Sequence, residues 1–315
     1  MRHFTSVSQL GDWQEAFAQA QYVKQNPFAD QALGKNKTLL LVFFNNSLRT
    51  RLSTQKAGLN LGMNVIVLDI AHGAWKLETE RGVVMDGDKS EHLLEAIPVM
   101  GCYCDIIGVR SFARFESKED DYNEVILNQF IQYSGRPVFS MEAATRHPLQ
   151  TYADLITIEE HKTKARPKVV MTWAPHPKAL PQAVPNSFVE GMKLADYDFI
   201  IANPEGYDLA PEFTQGIPVV HDQDEALKGA DFVYAKNWAS YDNYGQVLSQ
   251  DRSWTVTTEK MALTDNAKFL HCLPVRRNMI VTDEVIESPQ SLVIPEAANR
   301  VVSAQTVLKQ ILQSL

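Results

Sequence analysis

Short apolar runs alternate with longer segments of amphipathic character along the whole chain. Most of these runs are apolar at consecutive positions, which is typical of strands covered by helices on both faces. Strands that alternate with helices in this way form βαβ units around a parallel sheet. We therefore expect strands at Thr38–Phe44, Val65–Asp69, Asp105–Arg110, Val138–Met141, Val169–Trp173, Phe199–Ala202, Val219–His221, Phe232–Ala235, Phe269–His271 and Leu292–Ile294.

This number of strands is too large for one small sheet, so the pattern predicts an α/β fold with two doubly wound parallel-sheet domains. We place the first domain at residues 1–148 and the second at 149–299. A long helix candidate at residues 147–161 would connect them. Residues 300–315 carry apolar side chains at helical spacing, which predicts a helix that packs back on the first domain.

Composition excludes several classes of protein. The chain has 315 residues, a formal net charge of -8 and a sequence pI near 5.5, which argues against a general nucleic-acid binder but not against a local basic pocket. The sequence lacks a run of 18 or more apolar residues and an apolar signal-peptide core, so we expect a cytoplasmic protein. The odd count of 3 cysteines predicts a reducing compartment and no disulfide framework.

Two local patterns have competing interpretations. Cys102 and Cys104 have the look of a metal-binding pair, but no second Cys/His pair follows at ligand spacing, so we expect small buried side chains and no metal. The stretch 173–187 contains four prolines, which predicts neither helix nor strand. It is either a linker or a stiff loop that lines a site, because it directly follows a predicted strand.

In open parallel sheets, ligands bind beyond the carboxyl ends of the strands. Most polar residues that follow the predicted strands are cationic or are hydrogen-bond donors, which in an acidic chain predicts a small anionic substrate. These residues are Ser47, Arg49, Thr50, Arg51, Arg110, Glu142, Arg146, His147, Gln150, His176, Lys178, Lys236, Cys272, Arg276, Arg277, Glu296, Asn299 and Arg300.

The sequence SLRT at residues 47–50 favours a phosphate site. Ser47 is a candidate N-cap, and the first turn of a helix attracts anions through its N–H groups and its dipole. The hydroxyls and the guanidinium add donors suited to phosphate. Nucleotides are not expected, because the sequence lacks GxGxxG and its nearest approach to a P-loop has Asp88 where a lysine is required.

Two further residues have both a structural and a functional interpretation. His147 and Gln150 are three residues apart at a predicted helix start and can face the same space, although a lone histidine there is more often structural. Cys272 is either a buried inert thiol or, with arginines nearby, a stabilised thiolate.

Taken together, SLRT at 47–50, HPLQ at 147–150 and HCLP at 271–274 resemble the three signatures of the aspartate/ornithine carbamoyltransferase family, in the same order. The resemblance covers essentially the whole chain. The S-M-G loop of ornithine-specific members is absent from the sequence and the proline-rich loop 173–187 stands instead. Together with VVMDGD at 83–88, YAKNW at 234–238 and VRRN at 275–278, this proline-rich loop makes the chain resemble the branch that acts on Nα-acylated ornithines.

The resemblance implies a carbamoyltransferase of arginine biosynthesis that needs neither metal nor cofactor. The δ-amine would attack carbamoyl phosphate, with Arg110, His147, Gln150 and Cys272 as catalytic residues. Ser47, Leu48, Arg49, Thr50 and Arg110 would hold the phosphate, Arg300 would complete that pocket with His147 and Gln150, and Cys272 and the Leu273 carbonyl would contact the carbamoyl group. The acylornithine would be bound by Glu142, His176, Lys236 and Arg276.

The same resemblance implies a homotrimer in which Trp75 reaches into a neighbouring subunit's site, and a backbone knot in the second domain. By this resemblance, acetyl-specific relatives carry a glutamate at the position of Ser90, and succinyl-specific relatives carry a proline there. Because serine does not repel a second carboxylate, we predict N-succinylornithine as substrate. N-acetylornithine is the alternative substrate, and a regulator that binds carbamoyl phosphate without turnover is the alternative function. Ser90 also has a purely structural interpretation, as the cap of the helix that follows.

Overall fold

The computed structural model describes residues 1–73 and 75–315, with the backbone alone for Ala71 and His72. The chain forms two compact units. Unit 1 consists of Met1–Leu149 and Arg300–Leu315, and unit 2 consists of Gln150–Asn299. Each boundary between the units falls within a helix.

Unit 1 is built on a parallel sheet. Its strands are β1 (Thr38–Phe43), β2 (Asn64–Asp69), β3 (Leu77–Glu78), β4 (Glu91–His92), β5 (Ile106–Arg110) and β6 (Val138–Glu142). Its helices are α1 (Trp13–Gln25), α2 (Leu48–Asn60), α3 (Ile70–Gly73), α4 (Leu93–Cys102), α5 (Lys118–Tyr122) and α6 (Val125–Tyr133), with 3₁₀ turns at Val7–Leu10 and Gln31–Gly34. The 4-stranded sheet has the order β2-β1-β5-β6, and β3 pairs with β4.

The register of this sheet brings charged residues together at its carboxyl edge. Phe43 at the end of β1 is level with Asp69 of β2 and with Arg110 of β5. Arg110 is in turn paired with Glu142 of β6, after a register shift between Val109 and Arg110. Helix α2 starts close to the same edge, because only the short segment 44–47 separates it from β1.

Unit 2 repeats this architecture. Its strands are β7 (Lys168–Trp173), β8 (Asp198–Ala202), β9 (Val219–Val220), β10 (Phe232–Lys236) and β11 (Lys268–Leu270), in the parallel order β11-β10-β7-β8-β9. Its helices are α8 (Ala183–Leu194), α9 (Pro211–Thr214), α10 (Gln223–Leu227), α11 (Thr258–Met261) and α12 (Asp283–Ile286), with a 3₁₀ turn at Arg252–Trp254. Helices α7 (Pro148–His161) and α13 (Val293–Leu312) contain the two unit boundaries.

The prediction of two sets of parallel strands between helices is confirmed, but the strand at Leu292–Ile294 is wrong. Leu292 donates its backbone N–H to Phe269 O at 2.8 Å, and Ser291 forms a single bridge with Phe269, after which the chain turns into α13 at Val293. Pro295 lies in the first turn of that helix, where its missing N–H costs no hydrogen bond.

The proline-rich stretch is also only partly as predicted. Residues 174–182 form a loop, but α8 begins at Ala183 and includes Pro185, again in the first turn. The loop is tied to the chain after β10, since Ala174 N donates to Lys236 O at 3.1 Å and Ala239 N donates to Leu180 O at 2.9 Å. Because it lies inside unit 2, it is not a linker between the units.

The end of α13 packs within unit 1. Val307, Leu308 and Ile311 are fully buried. The Gln305 amide accepts from Asn60 at 2.8 Å and donates to the Pro27 carbonyl at 2.7 Å. Among the helices formed by the described residues, none is long and apolar enough to cross a membrane.

Candidate active site

In unit 1, the first turn of α2 is prepared for an anion. Ser47 is in an extended conformation, and its hydroxyl accepts the backbone N–H of Thr50 at 3.2 Å, which confirms the predicted N-cap. Arg49 lies in the same turn, and within that described turn no acidic side chain opposes the positive end of the helix dipole.

Arg110 lies against this helix start and is buried, with 6% exposure. Its Nη1 donates to Thr50 Oγ1 at 3.3 Å and to Glu142 Oε2 at 2.5 Å. The Arg110 guanidinium also lies over the Phe112 ring, 4.4 Å from the ring centroid. Arg110 Nε is buried and makes no hydrogen bond to any of the described residues, so a donor remains for a bound group.

Arg300 and His147 complete this group within unit 1. Arg300 is also buried, and its Nη2 donates to Thr50 Oγ1 at 3.3 Å. Its Nη1 lies 3.1 Å from His147 Nε2, which is also 3.3 Å from Glu142 Oε2. With the ring proton on Nδ1, His147 Nε2 accepts from Arg300; a charged ring would instead donate to Glu142.

Unit 1 therefore gathers Thr50, Arg110, Glu142, His147 and Arg300 at the carboxyl edge of its sheet. Buried guanidinium groups that converge on one hydroxyl at a helix start favour an anion with several acceptor oxygens. Phosphate is an anion of this kind, and its binding at the SLRT sequence stays a prediction.

Arg51 does not join this group. Its Nη2 donates to Asp69 Oδ2 at 3.0 Å, and its guanidinium lies 5.2 Å from the centroid of the Phe43 ring. These contacts give Arg51 a structural role between α2 and the strands β1 and β2.

Trp75 lies two residues before β3, and Ser90 directly precedes β4. Trp75 is 60% exposed and donates its indole N–H to Glu91 at 2.8 Å. Ser90 is exposed and donates its backbone N–H to Lys76 O at 3.0 Å. The interpretation of Ser90 as a helix cap is wrong, because the N-cap of α4 is His92, whose Nδ1 accepts the N–H of Leu94.

In unit 2, His176 and Arg276 are in direct contact. Arg276 Nε donates to His176 Nε2 at 3.0 Å, and His176 Nδ1 lies 2.9 Å from the Lys178 carbonyl. Nδ1 also lies 3.1 Å from the Lys178 backbone nitrogen. Because a guanidinium can only donate, Nε2 is the acceptor for Arg276, which assigns the proton of a neutral ring to Nδ1. Burial lowers the pKa of His176, and the charges of Arg276, Lys236 and Lys178 lower it further. This keeps a neutral acceptor on Arg276 and leaves positive charge for an anionic ligand.

Gln150, His271 and Leu273 lie in one hydrogen-bonded chain. Gln150 Nε2 donates to Asp154 Oδ1 at 2.7 Å and to Glu296 Oε1 at 3.2 Å. Glu296 Oε2 accepts the backbone N–H of His271 at 2.9 Å, and His271 Nδ1 accepts that of Leu273 at 2.8 Å. Leu273 is left-handed, with φ 51°, a conformation that costs energy for a side chain and is held by these bonds.

Cys272 is half-buried beside Tyr234, Asp154 and Glu296. Burial, together with the nearby Asp154 and Cys272, raises the pKa of Glu296 well above its usual range, and burial does the same for Tyr234.

The sequence analysis assigned no role to Asp154 or Tyr234. It identified Glu296 only as a polar residue after a predicted strand. Asp154 lies one helical turn beyond Gln150 on α7, which is the spacing for an amide–carboxylate contact. That spacing was the available signal for Asp154. Tyr234 sits inside an apolar strand and carries no pattern of its own.

Two models of one protein family match most of the chain. The sequence model of the aspartate/ornithine carbamoyltransferase carbamoyl-P binding domain matches residues 2–160. That of the Asp/Orn binding domain of the same enzymes matches residues 181–311.

Relatives of the acylornithine branch match over nearly the whole chain. The chain is 71% identical over 317 residues to the N-succinylornithine carbamoyltransferase of Bacteroides fragilis (strain 638R), with 100% of both chains covered. It is 37% identical to the N-acetylornithine carbamoyltransferase of Xanthomonas axonopodis pv. citri (strain 306), with 95% of this chain and 93% of that protein covered.

A solved structure gives the same result. A glutamate-to-serine variant of an N-acetyl-L-ornithine transcarbamylase, complexed with carbamyl phosphate and N-succinyl-L-norvaline, superposes with a TM-score of 0.91 at 35% identity, over 99% of this chain and 100% of that one. The chain therefore belongs to the aspartate/ornithine carbamoyltransferase family, within its acylornithine branch.

Proposed function

We propose that the protein transfers the carbamoyl group of carbamoyl phosphate to the δ-amine of N-succinylornithine, giving N-succinylcitrulline and phosphate in arginine biosynthesis. The observation that carries the proposal is the buried Arg110 and Arg300 pair on Thr50 at the start of α2. The 71% identity to an N-succinylornithine carbamoyltransferase supports the choice of reaction.

The unit 1 group suits the leaving phosphate. Thr50, Arg110 and Arg300 would donate to its oxygens, with Ser47, Leu48 and Arg49 placed around the helix start. The family likeness puts Gln150, Cys272 and the Leu273 carbonyl on the carbamoyl group, and His147 as a donor to its oxygen. Such fixed donors lower the barrier by stabilising the charge that develops on that oxygen.

The reaction then needs a neutral amine and an oriented carbamoyl carbon. The δ-nitrogen attacks that carbon, the bond to the phosphate oxygen breaks, and the departing phosphate takes up the proton that the amine loses. Holding the two reactants together supplies a large part of the acceleration.

The unit 2 group suits the acylated amino acid. Arg276 and Lys236 carry positive charge for its carboxylates, and the neutral His176 holds Arg276 in place. Glu142 is the proposed acceptor for a donor on the substrate, although it already accepts from Arg110.

Ser90 supports the succinyl group over the acetyl group. A glutamate at this position would repel the second carboxylate of a succinyl group, whereas serine would not. We identify this position with the glutamate replaced by serine in the transcarbamylase variant that is complexed with N-succinyl-L-norvaline. N-acetylornithine remains the alternative substrate, favoured by the 37% identity to enzymes of that name.

The test compares ornithine, N-acetylornithine and N-succinylornithine as acceptors with carbamoyl phosphate, by the citrulline product formed. We expect N-succinylornithine to give the highest kcat/KM and free ornithine to be inert. Faster turnover of N-acetylornithine would replace the succinyl assignment. Binding heat without product for all three acceptors would indicate a non-catalytic binder.

We also propose a homotrimer in which Trp75 serves a neighbouring subunit. Trp75 is 60% exposed, and Leu48, Leu52 and Leu59 of α2 expose 71%, 59% and 53% of their surface. An exposed apolar helix face of this kind fits a subunit interface. Analytical ultracentrifugation should give about three times the mass of one chain.

We also propose a backbone knot in the second domain and a cytoplasmic location. For the knot, the support is the loop 174–182, which is clasped to residues 236–239 by Gln182 Nε2 on Ala239 O at 2.8 Å and by Asn237 Nδ2 on Ala174 O at 2.6 Å. Pulling the chain from its ends should give a fully stretched length shorter than that of an unknotted chain.

For the cytoplasmic location, the support is that Cys102, Cys104 and Cys272 are free thiols.

A further inference from the structure

Two carboxyl groups are buried together in unit 2. Asp154 on α7 has an exposure of 0% and Glu296 on α13 an exposure of 1%. Gln150 Nε2 donates to both, at 2.7 Å to Asp154 and 3.2 Å to Glu296. The two carboxyl groups also contact each other.

Two ionised carboxylates in contact without water repel strongly, and a carboxylate cannot donate a hydrogen bond to another. A single proton between them removes the repulsion and forms the missing bond. The polar groups around the pair are Tyr234 from β10 and His271 and Cys272 after β11. Burial and the charge of Asp154 raise the pKa of Glu296, which favours Glu296 as the carrier of the proton.

The pair also forms hydrogen bonds with the Gln150 side chain and with the backbone that begins at His271. A charged Asp154 beside a neutral Glu296 draws both hydrogens of the Gln150 amide towards the pair, so the amide oxygen points away from it. Glu296 Oε2 meanwhile accepts the backbone N–H of His271, at the start of the segment that ends in the left-handed Leu273.

We propose that Asp154 and Glu296 share one proton and act as positioning residues, fixing the side of the Gln150 amide that meets the substrate and the path of residues 271–273. The proposal rests on the proposed function, in which Gln150 and Leu273 contact the carbamoyl group. It assigns to the pair a role that neither the signature sequences nor the strand-end positions indicate.

The first test is infrared spectroscopy of the intact protein at neutral pH. A protonated carboxyl group absorbs apart from carboxylate and amide groups, so the parent should show this band and Glu296→Gln should lack it. Asp154→Asn should keep the band, because an isolated buried Glu296 stays neutral. Absence of the band from the parent would overturn the shared proton, whether or not the protein turns over any acylornithine.

The second test compares the two amide variants in the carbamoyl-transfer assay. Glu296→Gln keeps a neutral donor to Asp154 and an acceptor for His271, and loses only the weaker contact to Gln150, so kcat/KM should fall about threefold. Asp154→Asn removes the charged acceptor that orients Gln150, and kcat should fall about 100-fold, with a smaller change in KM. Equal effects of the two variants would contradict the assigned proton position.

A double-mutant cycle separates positioning from general structure. If Asp154 acts through Gln150, Asp154→Asn should add little to the loss caused by Gln150→Ala. Losses that multiply, with melting temperatures lowered in step, would show a merely structural role. If the parent has no activity on any acceptor, the proposed function fails, whereas the infrared result still tests the pair.

Discussion

Arg51 and Arg110 are the same residue type in different surroundings, and this difference predicts different effects of the same substitution. Arg110→Lys keeps the charge but loses the fork that reaches Thr50 and Glu142 and the buried Nε donor. We expect kcat/KM for carbamoyl phosphate to fall about 100-fold.

Arg51→Lys is the matched control, since Arg51 pairs with Asp69 and its side chain is 37% exposed. Its kinetic constants should stay close to those of the parent. Steady-state kinetics of both variants at varied carbamoyl phosphate makes the comparison. Similar losses in the two variants would mean that Arg51 also meets the phosphate.

His176 gives a prediction for pH. The folded pKa is lowered by burial and by neighbouring cations, whereas an unfolded histidine titrates near 6.5. Below that pH the unfolded state binds more protons than the folded state does. The stability contributed by the neutral, buried His176 is therefore present above pH 6.5 and is lost as the pH falls through the folded pKa.

The variant His176→Gln isolates this effect, because it keeps an acceptor for Arg276 Nε without a titrating group. The melting temperature of the parent should fall more steeply than that of the variant between pH 7 and pH 5. The KM of the parent for the acylornithine should rise over the same range. Parallel melting curves would show that His176 does not titrate there.

At the same scale, the sequence predicted residues whose role follows from local order. Ser47 caps α2 because it directly precedes the helix, and Arg110 reaches the same point because β5 lies beside β1 in a parallel sheet. Asp154 and Glu296 could not be predicted as a pair. Their contact joins α7 and α13, and no spacing in the sequence encodes a contact between elements that are so far apart along the chain.

At the scale of elements, close packing of α4 gives a test that does not depend on function. A Cβ on Gly101 would lie 2.1 Å from the backbone oxygen of Ser134, which follows α6. Backbone atoms cannot rotate away, so Gly101→Ala should lower the free energy of unfolding by about 1–3 kcal/mol.

Gly87→Ala is the control, because a Cβ there meets no atom of the described residues within 4 Å. Its unfolding free energy should stay within about 0.5 kcal/mol of the parent. Urea unfolding followed by circular dichroism measures both. A neutral Gly101→Ala would mean that α4 can shift away from Ser134.

Elements with a continuous apolar pattern were predictable, and those whose start depends on tertiary contacts were not. β1 and β7 were recognised because both of their faces are buried. The run at Leu292–Ile294 is also apolar, but within the described residues a single backbone bridge, at the preceding Ser291, comes before α13 begins. A partner strand and the first turn of a helix compete for the same apolar residues, and the sequence alone does not decide between them.

At the scale of the whole molecule, the proposed sharing of Trp75 can be tested with hybrid trimers. Trp75→Ala and Arg110→Gln chains are each expected to be impaired alone. If a site takes Arg110 from one chain and Trp75 from a neighbour, random mixing leaves about one quarter of the sites intact. Activity at low carbamoyl phosphate should then reappear in the mixture.

The control is a mixture of each variant with itself after the same dissociation and reassembly. If Trp75 serves its own chain, every site in the hybrid keeps one defect and no activity is regained. If Trp75 has no part in the site, Trp75→Ala alone keeps the parent's KM for carbamoyl phosphate.

The return of α13 to unit 1 has a consequence for synthesis on the ribosome. The hydrogen bond from Asn60 to Gln305 joins residues separated by 245 positions, so unit 1 is completed only when the last segment has emerged. Unit 2, which is continuous from Gln150 to Asn299, can fold before that moment. The nascent chain therefore carries an unfinished first unit for most of its translation, with the apolar surface that awaits Val307, Leu308 and Ile311 open to chaperones.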